Sequence, residues 1–428
     1  MKVLMFGWEF PPHISGGLGT ACYGLTKGLS ELEDVEVTFI VPKAFGDENQ
    51  SDIKLLGANT IPIARKDFRF HKNGKGMECL EVDSPIIPYI TEDEFWERKK
   101  GKYGLGTRFV EVDGKLQVKF SGKYGAGLIE EIKNYALIAE IIARKTEFDI
   151  IHAHDWLAYP AGIAVQKISN KPLVVHVHAT EFDRSGGNVN PVVYAIEREG
   201  MELADKVITV SNLTRDIVTG KYNIPAEKVE TVYNAVEPLF DEPANLPEKS
   251  INEKIVTFLG RITLQKGPEY FIEAANLVLQ KIQNVRFVMA GSGDMLDAMI
   301  ARTAELGIAD KFHFTGFLAG KDVPRLFNMT DVFVMPSISE PFGIVPLEAM
   351  QLKVPVIISN QSGVAEVLEN VIKIDFWDTF AMADAIYGII SYSSLSLHFS
   401  EEGKSEVDHL KWINSAQKVK DIYESVLS

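Results

Sequence analysis

Compact apolar runs alternate with longer segments of helical spacing along most of the chain. Residues 2–8 (KVLMFGW) form one such run, followed by the turn-rich PPHISGGLGT and by apolar positions at helical spacing from Leu18 to Leu32. VEVTFIV at 35–41 supplies the next run, so the start reads as strand, loop, helix and strand. Further strands are expected at 53–56, 86–90, 148–154, 172–178 and 206–211, with a helix over 127–146. Runs that are apolar at nearly every residue belong to strands covered on both faces. A parallel sheet flanked by helices follows.

Residues 95–125 break this rhythm. They are basic and glycine-rich, with a hairpin expected around Asp113-Gly114, and read equally as a lid or acceptor-facing loop and as a solvated decoration. Prolines and charges gather at 237–254, which marks a linker over 238–252. A second series then begins, with strands at 254–260, 285–291, 311–316, 332–337 and 355–359. Helices are expected at 267–281, 293–306, 322–328, 343–351 and 363–368. Two Rossmann-like parallel-sheet domains, 1–237 and 253–410, explain this better than one large sheet. A ligand cleft between them follows from the usual binding edge of such sheets. A polar, turn-like stretch at 400–406 precedes a last amphipathic helix within 411–428.

Composition narrows the partners. The 428 residues carry 44 Lys and Arg against 59 Asp and Glu, a net charge of −15. That balance argues against a nucleic-acid partner while leaving room for a local basic cleft. Two cysteines, Cys22 and Cys79, suffice for neither a disulfide scaffold nor a four-thiolate zinc site, and both read as small buried apolar residues. No apolar run reaches the roughly 20 residues that cross a bilayer, and no charged leader with a cleavage site precedes the first strand. A reducing, cytoplasmic setting is the expectation.

Four regions carry candidate chemistry. In PHISGGLGT, Ser15, Gly16, Gly17 and Gly19 lie between a strand and a helix, where bare backbone and unpaired N–H groups suit an anion or a sugar oxygen. Neither GxGxxG nor GxxxxGK[ST] is present, which weighs against dehydrogenase and NTPase readings. IHAHDW and HVHATE place His152, His154, Asp155, His176, His178 and Glu181 at two strand ends. With His13 these could supply a zinc site, sugar contacts or neutral core histidines. No HExxH spacing favours the metal, and the alternating histidines are expected to divide between the two faces of their strands.

GRITLQKG sets Arg261 and Lys266 just beyond the first strand of the second series, a planar donor fork and a mobile point charge that suit a diphosphate. The GSGD turn beginning at Gly291 is a second candidate nest for a nucleotide. SEPFGIVPLEAM places Glu340 in a loop and Glu348 in a helix, with the N–H groups of Phe342, Gly343, Ile344 and Val345 between them. One carboxylate suits sugar hydroxyls and the other a ribose. Their unlike settings argue against a symmetric acid–base pair.

WEFPPHISGGLGT, IHAHDW, GRITLQKG and SEPFGIVPLEAM, in that order, resemble the retaining nucleotide-sugar glycosyltransferases of group 1 with the GT-B fold. The likeness is greatest to the bacterial and archaeal glycogen (starch) synthases, and it runs from residue 1 into the final helix. It implies an α/β fold of two Rossmann-like domains facing an interdomain cleft, with the terminal helix crossing back to the first. The implied reaction moves a sugar from a nucleotide diphosphate to an acceptor hydroxyl with retained configuration. By the resemblance, Gly16 and Gly17 face the donor phosphate and sugar, Arg261 and Lys266 hold the diphosphate, and Glu340 orients the transferred sugar. Phe342, Gly343, Ile344 and Val345 line its binding loop, Glu348 holds the ribose, and either His178 or His154 contacts the sugar, with Asp155 orienting the local network.

No metal or cofactor is implied. The donor is ADP-glucose or UDP-glucose and the acceptor an α-glucan. A transferase for a lipid-linked or cell-surface acceptor is one alternative, and a sugar-binding or regulatory protein without turnover is another. Bacterial ADP-glucose enzymes commonly carry lysine before the paired glycines; Ser15 here removes that phosphate contact.

Overall fold

The computed structural model describes residues 1–14, 16–48, 53–62, 69–73, 77–81, 109–112, 115–122, 124–125, 127–238, 249 and 251–428, with backbone alone at 69–73, 77–81, 109–112 and 115–116. The first sheet opens with β1 (Lys2–Phe6), β2 (Glu36–Val41) and β3 (Lys54–Gly57). Two antiparallel hairpins follow, β4 (Arg69–Asn73) with β5 (Met77–Glu81) and β6 (Phe109–Val112) with β7 (Lys115–Val118). The sheet resumes with β8 (Ile150–His154), β9 (Leu173–Val177), β10 (Lys206–Thr209) and β11 (Val229–Thr231). Its order is β11-β10-β9-β8-β1-β2-β3, with every neighbouring pair parallel.

The second sheet contains β12 (Lys254–Leu259), β13 (Val285–Ala290), β14 (Phe312–Gly316), β15 (Val332–Met335), β16 (Val356–Ser359) and β17 (Ile372–Ile374). Its order is β14-β13-β12-β15-β16-β17, again all parallel. In each sheet the chain first steps one way and then reverses, between β1 and β8 and between β12 and β15. Such switch points open a crevice at the carboxyl ends of the strands, where ligands bind in this architecture. Every residue of β8, β9, β15 and β16 is buried, so these strands have no solvent face and their sequences show continuous apolar runs.

Several local expectations need correction. The stretch 400–406 is no turn; it lies inside the helix Ser393–Val407, whose polar residues mask two buried positions, Gly403 and Val407. A helix expected at 363–368 is a short 3₁₀ turn, Gly363–Glu366. β11 and β17 have three residues each, too few for periodicity to register. The hairpin β6–β7 pairs Val112 with Lys115; Asp113 and Gly114 between them, the strand expected at 86–90, Ser15, and 239–248 and 250 of the expected linker lie outside the described residues.

The terminal helix Trp412–Leu427 lies against the helix Gly17–Ser30. Gly24 and Gly28 make room for it: a Cβ on Gly24 would stand 2.1 Å from the Trp412 ring, and one on Gly28 would stand 2.7 Å from the Trp412 carbonyl oxygen. Lys420 Nζ reaches Asp34 at 2.6 Å. One apolar cluster therefore runs from Val3 and Phe39 through Trp412 and Tyr423 to Phe333 and Phe342. Among the described residues, no helix is long and apolar enough to cross a membrane.

Candidate functional site

At the switch point of the first sheet, β8 supplies His152 and His154, β9 supplies His176, and His178 follows it. The four rings form one stack, with centroids 4.2 Å apart for His152 and His154, 5.3 Å for His154 and His176, and 4.4 Å for His176 and His178. The expected division between two faces is wrong. Residues two apart on a strand share a face, and the register sets His154 directly opposite His176. His154 Nδ1 lies 2.9 Å from His178 Nε2, and His152 Nδ1 lies 2.5 Å from the Tyr423 hydroxyl. Burial holds all four imidazoles below their ordinary pKa, with His178 at about 3. The stack is therefore neutral at neutral pH. His178 alone keeps part of its surface open.

Asp155 turns the chain at the end of β8 with φ of 62°, a left-handed conformation that costs a residue other than glycine some strain. Its buried carboxylate holds the turn by accepting from the Trp156 N–H at 3.0 Å and from Arg184 Nη2 at 3.1 Å. Arg184 also reaches Glu197 at 2.8 Å and the Ala179 carbonyl at 3.0 Å. Burial pushes Asp155 upward against the pull of Arg184, and pushes Glu197 up to about 7. The network ties the loop after β8 to the loop after β9, which carries His178.

Gly16 and Gly17 stand exposed at the start of the helix Gly17–Ser30. Nothing lies within 4 Å of where their Cβ atoms would be, so packing gives no reason for glycine at either position. Glu9 accepts from the Gly19 N–H at 3.3 Å, which fixes the loop's inner side.

The second switch point is charged. Lys266 follows β12, Glu340 follows β15, and the two form an ion pair in which the carboxylate is buried. Ser337 Oγ donates to the same Glu340 oxygen at 3.2 Å. Arg261 is exposed and donates to Gln265 Oε1 at 3.2 Å, while Gln265 Nε2 donates to the Ser339 carbonyl at 3.0 Å. Gly291, at φ 141°, passes so near β12 that a Cβ would fall 1.8 Å from the Gly260 carbonyl oxygen. Gly343, at φ 105°, folds its loop back over Glu340 and leaves 3.3 Å between its own Cβ position and Glu340 Cγ. Phe342 and Ile344 are buried, and Val345 opens the helix Val345–Gln351. Glu348 sits in the first turn of that helix, partly open to solvent, with no hydrogen-bond or ionic partner for its carboxyl among the described residues. Burial pushes it up to about 7.

The two edges touch. Ser339 Oγ donates to Asp183 Oδ1 at 2.6 Å, and Ser211 Oγ donates to the Pro341 carbonyl at 2.5 Å. Glu366 accepts from the N–H groups of Asn212 and Leu213 at 2.9 and 2.8 Å, capping the start of the helix Asn212–Lys221 from the other sheet. The structure thus joins Lys266 with Glu340, His154 with His178, and Gly343 with Glu340. Arg261 and Lys266 each have a partner of their own here, Gln265 and Glu340. Sequence reasoning missed Arg184, Glu197, Asp183, Ser211, Gln265 and Glu366. Gln265 lies inside GRITLQKG and Ser211 at the end of the run 206–211, but no motif marks any of the six as a site residue, and only the fold brings them to the edges.

Comparison with known proteins accords with this architecture. The family of glycosyl transferases group 1 matches residues 242–405, and glycosyltransferase family 4 matches residues 120–238. An uncharacterized glycosyltransferase of Methanocaldococcus jannaschii is 28% identical, over 99% of this chain and 98% of its own. A glycogen synthase of Mycobacterium tuberculosis is 25% identical, over 86% of this chain and 80% of its own. Among solved structures, Anabaena HepE in complex with UDP and glucose superposes with a TM-score of 0.67 at 18% identity, covering 99% of this chain and 100% of that one. The two families between them span most of both sheets. The fold is GT-B, residues 242–405 match the glycosyl transferases of group 1, and the chain is a nucleotide-sugar-dependent hexosyltransferase.

Proposed function

We propose that the enzyme extends an α-1,4-glucan, adding glucose from ADP-glucose or UDP-glucose to a non-reducing end with retained configuration. The observation that carries this reading is the pairing of Lys266 with buried Glu340 at the switch point of the second sheet, next to the neutral histidine edge of the first. The likeness to a glycogen synthase over 86% of this chain supports the glucan, and the UDP and glucose bound by HepE support the donor class.

In this reading the donor diphosphate lies across the carboxyl ends of β12 and β13, within reach of Arg261 and Lys266 and over the close approach at Gly291. Lys266 turns from Glu340 toward phosphate, and the freed carboxylate accepts hydrogen bonds from sugar hydroxyls. Glu348 holds the ribose, and the loop from Phe342 to Val345 shapes the donor pocket. His178, or His154 behind it, presents a neutral ring nitrogen to the sugar from the first sheet. Gly16 and Gly17 leave space for the reacting carbon and its phosphate. As the bond from C1 to the phosphate oxygen breaks, negative charge grows on the departing diphosphate and the two cations stabilise it. The acceptor oxygen attacks C1 from the face the diphosphate leaves. Its proton passes to a β-phosphate oxygen, so no protein nucleophile is needed. Contacts such as Ser339 to Asp183 keep the edges together and exclude water while both substrates are aligned.

The test is product analysis. Purified enzyme is incubated with ADP-glucose, UDP-glucose and other donors, against glycogen, short maltooligosaccharides and non-glucan acceptors, with chain length and nucleotide release both measured. Extended maltooligosaccharides support the reading. Efficient transfer to a lipid-linked or other non-glucan acceptor without glucan extension sinks it, and binding without any transfer would point to a sugar-binding or regulatory protein.

A further inference from the structure

The two cations of the second edge are held in different ways. Lys266 pairs with a carboxylate, whereas the polar partner of the Arg261 guanidinium among the described residues is the neutral carboxamide of Gln265. Arg261 is exposed and Gln265 is buried, so a flexible cation rests on a fixed group. What fixes Gln265 is the segment just before Glu340. Its Nε2 donates to the Ser339 carbonyl at 3.0 Å, and its own main-chain carbonyl accepts from the Ile338 N–H at 2.9 Å. These neighbours determine which way the carboxamide faces. Turned over, it would set its oxygen against the Ser339 carbonyl and its amide hydrogens against the guanidinium.

We propose that Gln265 is a positioning residue for the donor: it holds the Arg261 guanidinium at the carboxyl edge of β12 and registers it against the loop that carries Glu340. The proposal rests on the reading that Arg261 holds the diphosphate. A free arginine side chain must give up its rotamers when an anion binds, and one already bonded to a buried group gives up fewer. Neutrality matters as much. The amide orients the guanidinium without cancelling its charge, and a single bond leaves the other N–H groups for phosphate oxygens. Arg261 therefore stands ready for an arriving diphosphate, while Lys266 has first to leave Glu340.

The surroundings keep Gln265 from shifting. It lies in the 3₁₀ turn Leu264–Lys266, which ends at Gly267 with φ of 62°, where a Cβ would stand 2.2 Å from the Pro336 carbonyl oxygen. Ser339 is held from its far side as well. Its Oγ donates to Asp183 Oδ1 at 2.6 Å, and the other Asp183 oxygen accepts from the Thr180 N–H and hydroxyl, each at 2.7 Å. A line of bonds thus runs from the guanidinium through Gln265 and Ser339 to the loop after β9, and the placement of Arg261 is set by both sheets.

The experiment is a double-mutant cycle on nucleotide binding, measured on the full chain by calorimetry with UDP and with ADP. Gln265→Met keeps the side-chain length and removes both of its hydrogen bonds. It should weaken the tighter-binding diphosphate by about three- to tenfold, the cost of ordering one long side chain. With Arg261→Ala already in place the same change should cost less than about twofold, because the group through which it acts is gone. With Lys266→Ala in place it should keep its full effect. Circular dichroism checks folding, and Gln265→Ala takes the place of a methionine variant that does not fold. Unchanged affinity on Gln265→Met, or an equal loss with and without Arg261, overturns the proposal and leaves Gln265 a structural amide. A loss that disappears with Lys266→Ala instead also overturns it, assigning Gln265 to the other cation. If Arg261→Ala itself leaves binding intact, or wild type binds neither diphosphate, the donor reading of Arg261 falls and this proposal with it. Nothing in the cycle depends on the acceptor, so a failure of glucan extension leaves it standing.

Discussion

The carboxyl edges of the two sheets share a topology and differ in chemistry. After β8 and β9 the first presents imidazoles that burial keeps neutral. After β12 and β15 the second presents Arg261, Lys266 and Glu340 around backbone so close that only glycine fits at Gly291. Neutral rings can exchange hydrogen bonds with hydroxyls without attracting an anion, whereas cations beside a bare loop favour a diphosphate. One architecture, used twice, thus offers a polyhydroxyl side and an anion side. The difference lies in the residues grafted onto each edge.

That contrast breaks most visibly if the cations are removed. Arg261→Ala and Lys266→Ala should each lower kcat/KM by roughly 10²–10³-fold with nucleotide sugars. The stabilities should diverge. Lys266→Ala leaves Glu340 buried without its partner and should cost up to about 3 kcal/mol, while exposed Arg261→Ala should unfold like wild type in denaturant titrations. Equal turnover by folded variants would reduce the pair to a surface feature.

The glycines sharpen the contrast next. Gly291→Ala must fit a Cβ against the Gly260 carbonyl at a left-handed φ, so a loss of about 3 kcal/mol is expected in equilibrium unfolding. Gly16→Ala and Gly17→Ala meet nothing and should leave stability within about 0.5 kcal/mol of wild type. Any loss at those two positions should show in turnover alone. A destabilised Gly16→Ala would mean that packing, not a ligand, selects the glycine.

Glu348 offers a smaller, pH-dependent handle. With its carboxyl at about 7, ribose hydroxyls that donate to the ionised form should be held about tenfold more weakly at pH 6 than at pH 8. Calorimetry with an intact nucleotide sugar, whose phosphates do not titrate in this range, measures it. Glu348→Gln should flatten the profile; an unchanged slope would move the ribose elsewhere. Smallest is the acid response of the histidine edge. The fold keeps His178 neutral down to about 3 while the unfolded chain takes up a proton near 6.5. Its contribution is fully present above pH 6.5 and is lost as pH falls toward 3. His178→Gln should therefore lose less stability than wild type between pH 6.5 and 5.5, by under about 1.4 kcal/mol because the ring is partly solvated.

What the sequence disclosed follows from where the information resides. Strands buried on both faces write themselves as apolar runs, so both sheets were legible, while three-residue β11 and β17 were too short to leave a pattern. Local motifs announced Lys266 and Glu340, although not that they pair with each other. The faces of the histidines were misjudged even though the period of a strand determines them. Arg184, Asp183 and Glu366 were beyond sequence reach because their partners, Asp155, Ser339 and the Asn212 and Leu213 N–H groups, are distant in the chain or carry no motif. The helix Ser393–Val407 was partly lost to its own polar surface.

The terminal helix has a consequence for how the protein is made. Trp412 fills the groove over Gly24 and Gly28, and Tyr423 bonds His152, so part of the covering of the first sheet is encoded by residues 412–423. A ribosome delivers the amino-terminal half long before that helix exists. Until that helix emerges, the nascent first half carries an open apolar groove and one end of its histidine stack without the Tyr423 hydroxyl. Emergence of the helix Trp412–Leu427 is therefore the step that seals both halves, and a chain ending short of residue 412 would leave the ribosome with that groove still exposed.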